Sequence, residues 1–538
     1  MQLNKTRIVF FLIVGLALTV VCAGAAYNAL GPRLFNTGTP GNGNPAAQST
    51  IAPAALKPPA PIWGAGYKAN DGKPTYICGT DAFASYLTLV QIQAAGLDEA
   101  RGFHLGIVPF QLNNKPEYAL TEEQSNAFVE AGLWDCELNT ADSVASNAQG
   151  VITAIIDESA GGDGMWARNI PTLNDLKGKR IAFVRDSSAE YFMLYTLSIA
   201  RLNPKFDVKL VPAETPDEAV KLFNEGKADA VSAWEPQLSR AKQGGGAPLI
   251  TSSQLRIIVD VIITSKKSIA DKPNVVQAFH DAWFEAMKQQ TEKFDIAAEQ
   301  IAKWGNNDWS EIKPGTAGQN LREQLKQIAQ ADLGANAFVM RDPTPIYNRL
   351  TIARRVWAAG GATVSADKVE DLVNPSFVAK SASQSQLQPS ARPINDSFSI
   401  SAKLDLSGVK VQNTTTLAVL PCNRFTFLPD SATLTLESRR VLDDCVVPTL
   451  QQSVGLYLRV KGASAWPGPK GAYTEKQILE FAQARAQAVV DYLVSQKVDR
   501  ARFVVEAVVP PVERRETDDP DKQAEDRFVE MALITSGR

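Results

Sequence analysis

The chain has 538 residues, of which 45% are hydrophobic and 21% charged, as in an ordinary globular protein. The length suggests roughly two to four domains, and the composition excludes wholesale disorder and a polytopic membrane protein. The formal net charge is −3, whereas a nucleic-acid binder would show a strong basic excess. His104 and His280 are the chain's two histidines, so the sequence favours a binding protein over an enzyme, without metal or cofactor.

The N-terminal segment, residues 1–30, has the features of a membrane anchor. Lys5 and Arg7 precede a 19-residue, almost purely apolar stretch from Ile8 to Ala26. Cleaved signal peptides usually have an apolar region of roughly 7–15 residues, whereas a spanning helix needs about 20. We therefore predict a transmembrane helix in the inner membrane, with the basic residues on the cytoplasmic side and the bulk of the chain in the periplasm.

Two alternatives to an anchor stay open at this end of the chain. Ala23 and Ala25 form the A-x-A pattern of a signal-peptide cleavage site. Cys22 could carry the lipid of a lipoprotein, although the preceding Thr-Val-Val is a poor match to such a signal.

Two stretches with linker composition divide the rest of the chain. Residues 31–69 are rich in Gly, Pro, Asn and Ala, and residues 374–411 are rich in Ser, Gln and Pro. Such composition cannot build a hydrophobic core and predicts flexible tethers. The exported part is therefore expected to comprise a body, residues 70–373, and a C-terminal module, residues 412–538.

Apart from Cys22, each exported unit holds one pair of cysteines. These are Cys78 and Cys136 in the body, and Cys422 and Cys445 in the C-terminal module. Disulfides persist in oxidising compartments such as the periplasm. Four cysteines allow three pairings, of which pairing within each unit is the most economical; buried free thiols are the alternative.

The body alternates strand and helix signals. An apolar strand at Tyr76–Cys78 precedes a helical run at 81–95, and a strand at Arg180–Val184 precedes a helix from about Ser187. This alternation predicts an α/β fold with parallel strands and helices on both faces of the sheet. Ligands of such sheets bind beyond the carboxyl ends of the strands, near helix N-termini.

The candidate ligand-binding residues lie at predicted strand ends, in the loops that follow them or at helix starts, and include two tryptophans that could stack on a flat ligand: Thr80, Asp81, Thr140, Asp142, Asp163, Trp166, Ser187, Ser188, Trp234 and Glu235. Ordinary capping, turn or packing roles compete at each position. Arg168 and Arg185 would favour an anion, whereas Asp142, Asp163 and Glu235 would favour a cation or a hydrogen-bond-donating pyrimidine. The charge of the ligand therefore stays open.

Four runs of the body carry a family resemblance. In chain order they are "GLWDCELNTADSV", "IIDESAGGDGMWAR", "LNDLKGKRIAFVRDSSAEYFML" and "DEAVKLFNEGKADAVSAWEP". Together they resemble the ABC-importer solute-binding proteins that handle nitrate, alkanesulfonates and thiamine-precursor pyrimidines, across about residues 70–370. The resemblance implies a two-lobed periplasmic-binding-protein fold, with lobe one at 70–155 and 260–372 and lobe two at 156–259. The lobes would close on a small solute and present it to an ABC permease.

The C-terminal module has an α+β pattern. Its runs "NRFTFLPDSATLT", "ARAQAVVDYL" and "EDRFVEMAL" resemble the OmpA-like peptidoglycan-binding domain, across about residues 415–538. In that family an Asp and an Arg clamp the diaminopimelate of the wall peptide. The resemblance assigns the Arg role to Arg485 and a second arginine to Arg527, while Ala465 stands at the Asp position. A small α+β domain that contacts proteins instead of peptidoglycan is the alternative.

Together these features predict a membrane-tethered solute-binding protein of the cell envelope. It would capture a small molecule for an ABC importer, and the OmpA-like module would hold it to peptidoglycan. The alternative is an envelope structural or sensory protein whose degenerate cleft no longer serves transport.

Overall fold

The computed structural model describes residues 57–110, 115–304, 312–396, 398, 414–453 and 455–536. The predicted N-terminal transmembrane helix and most of the first linker lie outside these residues. Within the described part of the chain, no helix combines the length and apolar character that crossing a membrane requires.

The strands in this part of the chain are β1 (Ile62–Trp63), β2 (Thr75–Thr80), β3 (His104–Pro109), β4 (Cys136–Thr140), β5 (Val151–Ser159), β6 (Asp163–Ala167), β7 (Arg180–Val184), β8 (Lys209–Ala213), β9 (Ala230–Trp234), β10 (Ala247–Thr251), β11 (Val259–Thr264), β12 (Ile328–Gln330), β13 (Thr414–Thr426), β14 (Tyr457–Ala463), β15 (Phe503–Val508) and β16 (Phe528–Ser536).

The α-helices in the same ranges are α1 (Leu87–Ala94), α2 (Leu97–Ala100), α3 (Glu122–Glu130), α4 (Ala141–Asn147), α5 (Ser188–Ile199), α6 (Pro216–Asn224), α7 (Ser252–Leu255), α8 (Lys266–Asp271), α9 (Pro273–Glu292), α10 (Phe294–Lys303), α11 (Ala317–Leu325), α12 (Leu333–Arg341), α13 (Thr344–Gly360), α14 (Ser376–Ala382), α15 (Leu436–Val441), α16 (Val447–Gln452), α17 (Glu475–Ser495) and α18 (Pro520–Asp526).

The body contains two separate sheets. The first has the strand order β1-β3-β2-β4-β11-β5-β12, and the second has the order β10-β6-β9-β7-β8. The chain passes from the first sheet to the second between β5 and β6, and returns between β10 and β11. The predicted two-lobed α/β architecture is therefore confirmed: this is the periplasmic-binding-protein fold.

The sheets are mixed, which differs from the prediction of parallel sheets. The βα units supply parallel pairs, β2 with β3 and β4, and β7 with β8 and β9. The strands next to the two crossings run antiparallel to their neighbours, as β11 does to β4 and β5, and β6 to β9. A strand that enters a sheet from the other lobe arrives without the helical crossover that a parallel pair requires.

Local sequence signals account for several element boundaries. The Thr121 hydroxyl accepts a hydrogen bond from Gln124 N while the Gln124 side chain accepts one from Thr121 N, which forms a capping box at the start of α3. Thr474 and Gln477 form the same capping box at the start of α17. Strand β7 has the bounds that the sequence predicts. These signals are short-range, which is why they are readable without the fold.

Parts of both predicted linkers are structured. Within 57–69, strand β1 pairs with β3. Within 374–396, α14 is a helix with Phe377 and Val378 buried, and the Ser381 hydroxyl donates to Asp281 Oδ1 on α9 at 2.5 Å. The Ser- and Gln-rich composition concealed these few apolar side chains. Their burial and the hydrogen bond to α9 are enough to hold the stretch against lobe one.

The C-terminal module is a four-stranded mixed sheet with the order β13-β16-β14-β15. Strands β14 and β15 are parallel, and β16 runs antiparallel to β13 and β14. Helix α17 lies so close to β14 that a Cβ on Gly462 would come within 2.0 Å of Ala482 O. A glycine is therefore required at this contact.

Both predicted disulfides are present within their units. Cys78 and Cys136 are Cα partners on β2 and β4 and are bonded. Cys422 on β13 is bonded to Cys445, whose Cα lies 6.6 Å away. The alternative of buried free thiols is thus excluded by the structure.

Candidate functional site

A narrow cleft lies where the two lobes meet. Residues from both lobes line it: Asp81, Phe83, Tyr86, Phe110, Glu122, Leu138, Asn139, Thr140, Asp163, Ser187, Ser188, Trp234, Ile258 and Asp260. Its cavity volume is about 30 Å³, room for about one or two water molecules.

In lobe one, sheet topology brings the polar residues of the cleft together. Asp81 directly follows β2 and Thr140 ends β4, and these parallel strands finish at the same edge. Strand β11 runs the other way, so Asp260 near its start lies at that edge too, opposite Thr140. Three chain-distant residues thus meet at one edge of the sheet.

Lobe two uses the same rule. Strands β7 and β9 are parallel, and their ends lead to Ser187 and Trp234 respectively. Strand β6 is antiparallel to β9, and Asp163 at its start is the Cα partner of Trp234. The Ser188 hydroxyl on the first turn of α5 donates to Asp163 Oδ1 at 3.3 Å. The carboxylate of Asp163 is thereby held at the cleft.

The structure brings six of the predicted ligand-binding residues to the cleft and places four outside its lining. Those at the cleft are Asp81, Thr140, Asp163, Ser187, Ser188 and Trp234. A contact of these six with a ligand stays a prediction.

The remaining four have local roles. The Thr80 hydroxyl donates to Asp81 O at 3.1 Å, and Glu235 accepts hydrogen bonds from Ser239 N and Oγ at 3.0 and 2.8 Å. Trp166 is buried in β6, with Lys242 Nζ 5.6 Å from its ring centroid. Asp142 is buried on α4. These four residues lie outside the lining of the cavity, and a contact of any of them with a ligand also stays a prediction.

Sequence reasoning missed Asp260 and three aromatic residues of the cleft. Asp260 was detectable in principle, because it is the one charged residue of the strand VDVIIT. Phe83, Tyr86 and Phe110 are buried at the cleft. Nothing in the sequence distinguishes them from core aromatics, since their position depends on the packing of distant segments.

The cleft is acidic. Asp81, Asp163, Asp260 and Glu122 line it, and among the described residues no lysine, arginine or histidine does. The two arginines considered for an anionic ligand are engaged elsewhere. Arg168 donates to the carbonyl oxygens of Gly244, Ala228 and Phe223, and Arg185 lies 3.7 Å from Glu214.

Burial shifts the pKa values of the three cleft aspartates upward. It raises the pKa of Asp81 and of Asp163 to about 6, because a charged carboxylate loses solvation in the interior. Asp260 is buried beside Asp157, its partner on β5, and burial together with this second carboxyl raises the Asp260 pKa well above its ordinary value. The cleft thus concentrates carboxyl groups that hold their protons more tightly than free ones do, and among the described residues no basic side chain lines it to compensate their charge.

A hydroxyl network joins the two crossings between the lobes. Ser252 Oγ and Ser159 Oγ are 2.8 Å apart, and Gly161 N donates to Ser252 Oγ at 2.8 Å. Asp163 N donates to the same oxygen at 3.2 Å. The crossings, which would bend when the cleft opens, are therefore hydrogen-bonded to the backbone of Asp163, whose carboxylate lines the cleft.

Arg485 in the C-terminal module is buried but bonded to carbonyls, not to a carboxylate. It donates to Ser431 O and Ala463 O, both at 2.9 Å. Burial and the nearby Arg527 lower its pKa to about 10, and Arg527 Nε is buried without a hydrogen-bond partner. Ala465, at the expected Asp position, is also buried. Two guanidinium groups therefore lie close together here.

No group of three or more potential metal ligands occurs within the described ranges.

Comparison with known proteins gives one family match. Residues 151–293 match the family model described as NMT1/THI5 like. This range runs from β5 through α9, so it contains both crossings and all of the second sheet. A comparison with curated proteins finds no significant match.

Solved structures similar to this chain include two binding proteins and an enzyme. The alkanesulfonate-binding protein SsuA from Xanthomonas axonopodis pv. citri, bound to MOPS, has 16% identity and a TM-score of 0.43, covering 56% of this chain and 99% of that chain. The aliphatic sulphonate binding protein SsuA from Escherichia coli has 16% identity and a TM-score of 0.42, covering 56% and 97%. The desulfurization enzyme DSZB has 16% identity and a TM-score of 0.39, covering 58% and 99%.

Proposed function

We propose that this protein captures a small solute between its two lobes and presents it to an ABC-type importer. The observation that carries the proposal is the convergence of polar and aromatic side chains from both lobes in the cleft. Six of the residues predicted from the sequence are among those that line it. Ligand sites of this kind are concave and largely apolar, with a few placed polar groups. The family match over residues 151–293 supports the same class of function.

A thermal-shift screen of the full-length protein tests capture. The panel contains nitrate, sulfonates, phosphonates, pyrimidines and amines. A ligand at about 100 times its Kd adds about 2.7 kcal/mol of stability, which shifts the midpoint clearly. A specific hit that is weakened in Trp234→Ala, but unaffected in Trp63→Ala, at a half-buried tryptophan of β1 away from the cleft lining, supports the proposal. A flat panel with a cooperatively folded protein contradicts it.

The second candidate is a sensory or structural protein of the envelope, and a specific contact favours it. The C-terminal module is bonded to lobe two: Tyr195 Oη lies 3.0 Å from Ser453 Oγ, and Gly455 N donates to Gln254 O at 2.9 Å. Movement of lobe two would therefore be transmitted to the module. Loss of importer-dependent uptake in a deletion strain would favour transport, whereas normal uptake with altered envelope signalling would favour the sensory role.

We further propose that the C-terminal module is OmpA-like and binds the wall peptide through a carboxylate at Arg485 and Arg527. The mixed sheet and its packing against α17 support the fold, and two close guanidinium groups support an anion site. Retention of the protein on purified sacculi tests this. Arg527→Gln should release it while Arg500→Gln, at an exposed arginine paired with Asp491, should not. Equal retention of both variants would contradict wall binding through this site.

The cellular location is also part of the proposed function. We infer an inner-membrane anchor at residues 1–30, with the body and module in the periplasm. The two disulfides support an oxidising compartment. Fractionation that leaves the full-length chain in the membrane pellet after a salt wash is expected; release by salt would contradict the anchor.

A further inference from the structure

The acidic cleft raises the question of which ligand could neutralise it. We propose that the ligand is a small organic cation, an ammonium ion held by Asp163, Asp260 and Asp81 and enclosed by aromatic rings. This inference rests on the proposed solute capture and specifies its substrate class. It resolves the open ligand charge, because the two candidate arginines lie away from the cleft.

The buried carboxyl of Asp260 points to a cationic ligand. Asp260 is 3% exposed and lines the cleft, and its carboxyl faces that of Asp157 rather than a cation. Its Oδ1 accepts a hydrogen bond from the Tyr86 hydroxyl. Two carboxyls buried side by side cannot both carry charge without a cost, and a cationic ammonium group placed against them would lower that cost.

A neighbouring carboxylate shows how this protein neutralises buried charge when no ligand is involved. Glu158 is fully buried and pairs with Arg349 at 2.6 Å and with Arg256 at 3.2 Å. The adjacent Asp157, the Cα partner of Asp260, is buried against the Asp260 carboxyl and the Ser85 hydroxyl instead of in a direct pair with an arginine. Direct pairing with arginine is thus present at Glu158, whereas the Asp157–Asp260 pair reaches the cleft through Asp260, where a ligand cation could approach it.

Aromatic side chains favour an organic cation over a metal ion. Phe83, Tyr86, Phe110 and Trp234 line the same cavity, and the rings of Phe83 and Tyr86 meet edge to face with centroids 5.5 Å apart. Ring faces attract ammonium groups through their quadrupole. A hard metal ion instead requires a shell of oxygen ligands, which rings cannot provide.

The N-terminus of α5 at the cleft would attract an anion, but its hydroxyls are already engaged. Ser187 Oγ donates to Val184 O at 2.8 Å and accepts from Ala189 N at 3.2 Å. Ser188 Oγ donates to the Asp163 carboxylate. A helix end carries about half an elementary charge, which is less than the full charges of the surrounding carboxylates. The net field therefore favours a cation.

Calorimetric titration of the full-length protein tests the charge class directly. The probes are methylammonium, tetramethylammonium and choline, with 3,3-dimethylbutan-1-ol as the uncharged isostere of choline, propane-1-sulfonate as the anion and Ca²⁺ as the metal. At least one ammonium ion should bind, with choline favoured over its isostere by roughly tenfold or more. Asp163→Asn and Asp260→Asn should each weaken ammonium binding by about ten- to a hundredfold.

Asp98→Asn is the matched control, because Asp98 is a buried aspartate of lobe one that does not line the cleft. It should leave ammonium binding unchanged, and cooperative thermal unfolding of each variant excludes misfolding as the cause. Equal binding of choline and its isostere overturns the inference, as does Ca²⁺ binding that depends on Asp163. Binding of propane-1-sulfonate without any ammonium ion also overturns it but leaves solute capture standing. If no probe of any charge binds, both proposals fail.

Discussion

At the scale of single residues, the body is marked by carboxyl groups buried without compensating cations. Asp142 illustrates the consequence for stability: its carboxyl is buried, and burial raises its pKa from 3.8 to about 7 although the Thr140 and Trp357 side chains act in the opposite direction. The folded state therefore binds this proton more tightly than the unfolded chain does. The stability contributed by this group is present below about pH 4 and is lost as the pH rises through about 7.

We therefore expect Asp142→Asn to stabilise the protein at pH 8 and to have little effect at pH 4.5. Each kcal/mol corresponds to roughly 2–4 °C in Tm for domains of this size, so a gain of several degrees is expected in thermal unfolding followed by circular dichroism. Asp491→Asn is the control: Asp491 is exposed, and hydrogen bonds from Arg500 and Gln487 lower its pKa. It should not stabilise at pH 8. A lower Tm for Asp142→Asn at pH 8 would contradict the account.

The cleft carboxylates make a second prediction about pH. The titratable groups that face one another here are Asp81 and Asp163, Asp163 and Glu235, and Asp157 and Asp260. Since the pKa values of Asp81 and Asp163 are about 6, an ammonium ligand must displace their protons at low pH. The affinity for choline, whose charge is fixed, should rise about tenfold per carboxylate between pH 5 and pH 8. Calorimetry measures this, and an affinity that falls with pH would contradict it.

At the scale of elements, the Ser252 hydroxyl joins the two crossings between the lobes, which together form the hinge. Ser252 Oγ accepts from Gly161 N and Asp163 N and bonds to Ser159 Oγ. Ser252→Ala removes the acceptor of Gly161 N and one of the two acceptors of Asp163 N, which also donates to Ser159 Oγ, so we expect a loss of about 1–3 kcal/mol in the free energy of unfolding. Ser253→Ala, at the exposed neighbouring serine, is the matched control and should cost less than 0.5 kcal/mol or so. Urea denaturation compares the two; equal losses would show that the network does not stabilise the hinge.

Elements were predictable from sequence where local chemistry determines them. The capping boxes at Thr121 and Thr474 and the strand Arg180–Val184 are examples. The rule that ligands lie at the carboxyl ends of strands located Asp81 and Ser187 at the cleft. It could not locate Asp260, because β11 enters the sheet antiparallel from the other lobe, and only the topology shows which of its ends reaches the cleft.

The helix α14 was missed by the sequence prediction for a different reason. Its Ser- and Gln-rich surroundings have linker composition, and only contacts with α9, such as that of Ser381 with Asp281, give the stretch a fixed position. Tertiary contacts of this kind are invisible in composition.

At the scale of the whole molecule, the C-terminal module rests on lobe two. The Asn174 side chain makes the pair of hydrogen bonds to β13 that a neighbouring strand would make: its Nδ2 donates to Val419 O at 3.2 Å, and its Oδ1 accepts from Val419 N at 2.8 Å. The module therefore contacts the lobe that must move when the cleft opens.

Removing the Asn174 side chain should weaken the contact between the module and lobe two without changing the cleft. In Asn174→Ala we expect faster hydrogen exchange of the Val419 amide and unchanged exchange in β7. Asn147→Ala, at an exposed asparagine of lobe one, serves as control. Unchanged exchange at Val419 would mean that the module is held on lobe two by other contacts.

The most direct test of the central claim is a crystal structure of the full-length protein grown with choline. The account predicts that choline lies between the two lobes, with its trimethylammonium group enclosed by the carboxylates of Asp163 and Asp260 and the ring of Trp234. A cleft without choline, at a concentration that saturates the calorimetric signal, or choline bound elsewhere on the molecule, would contradict it.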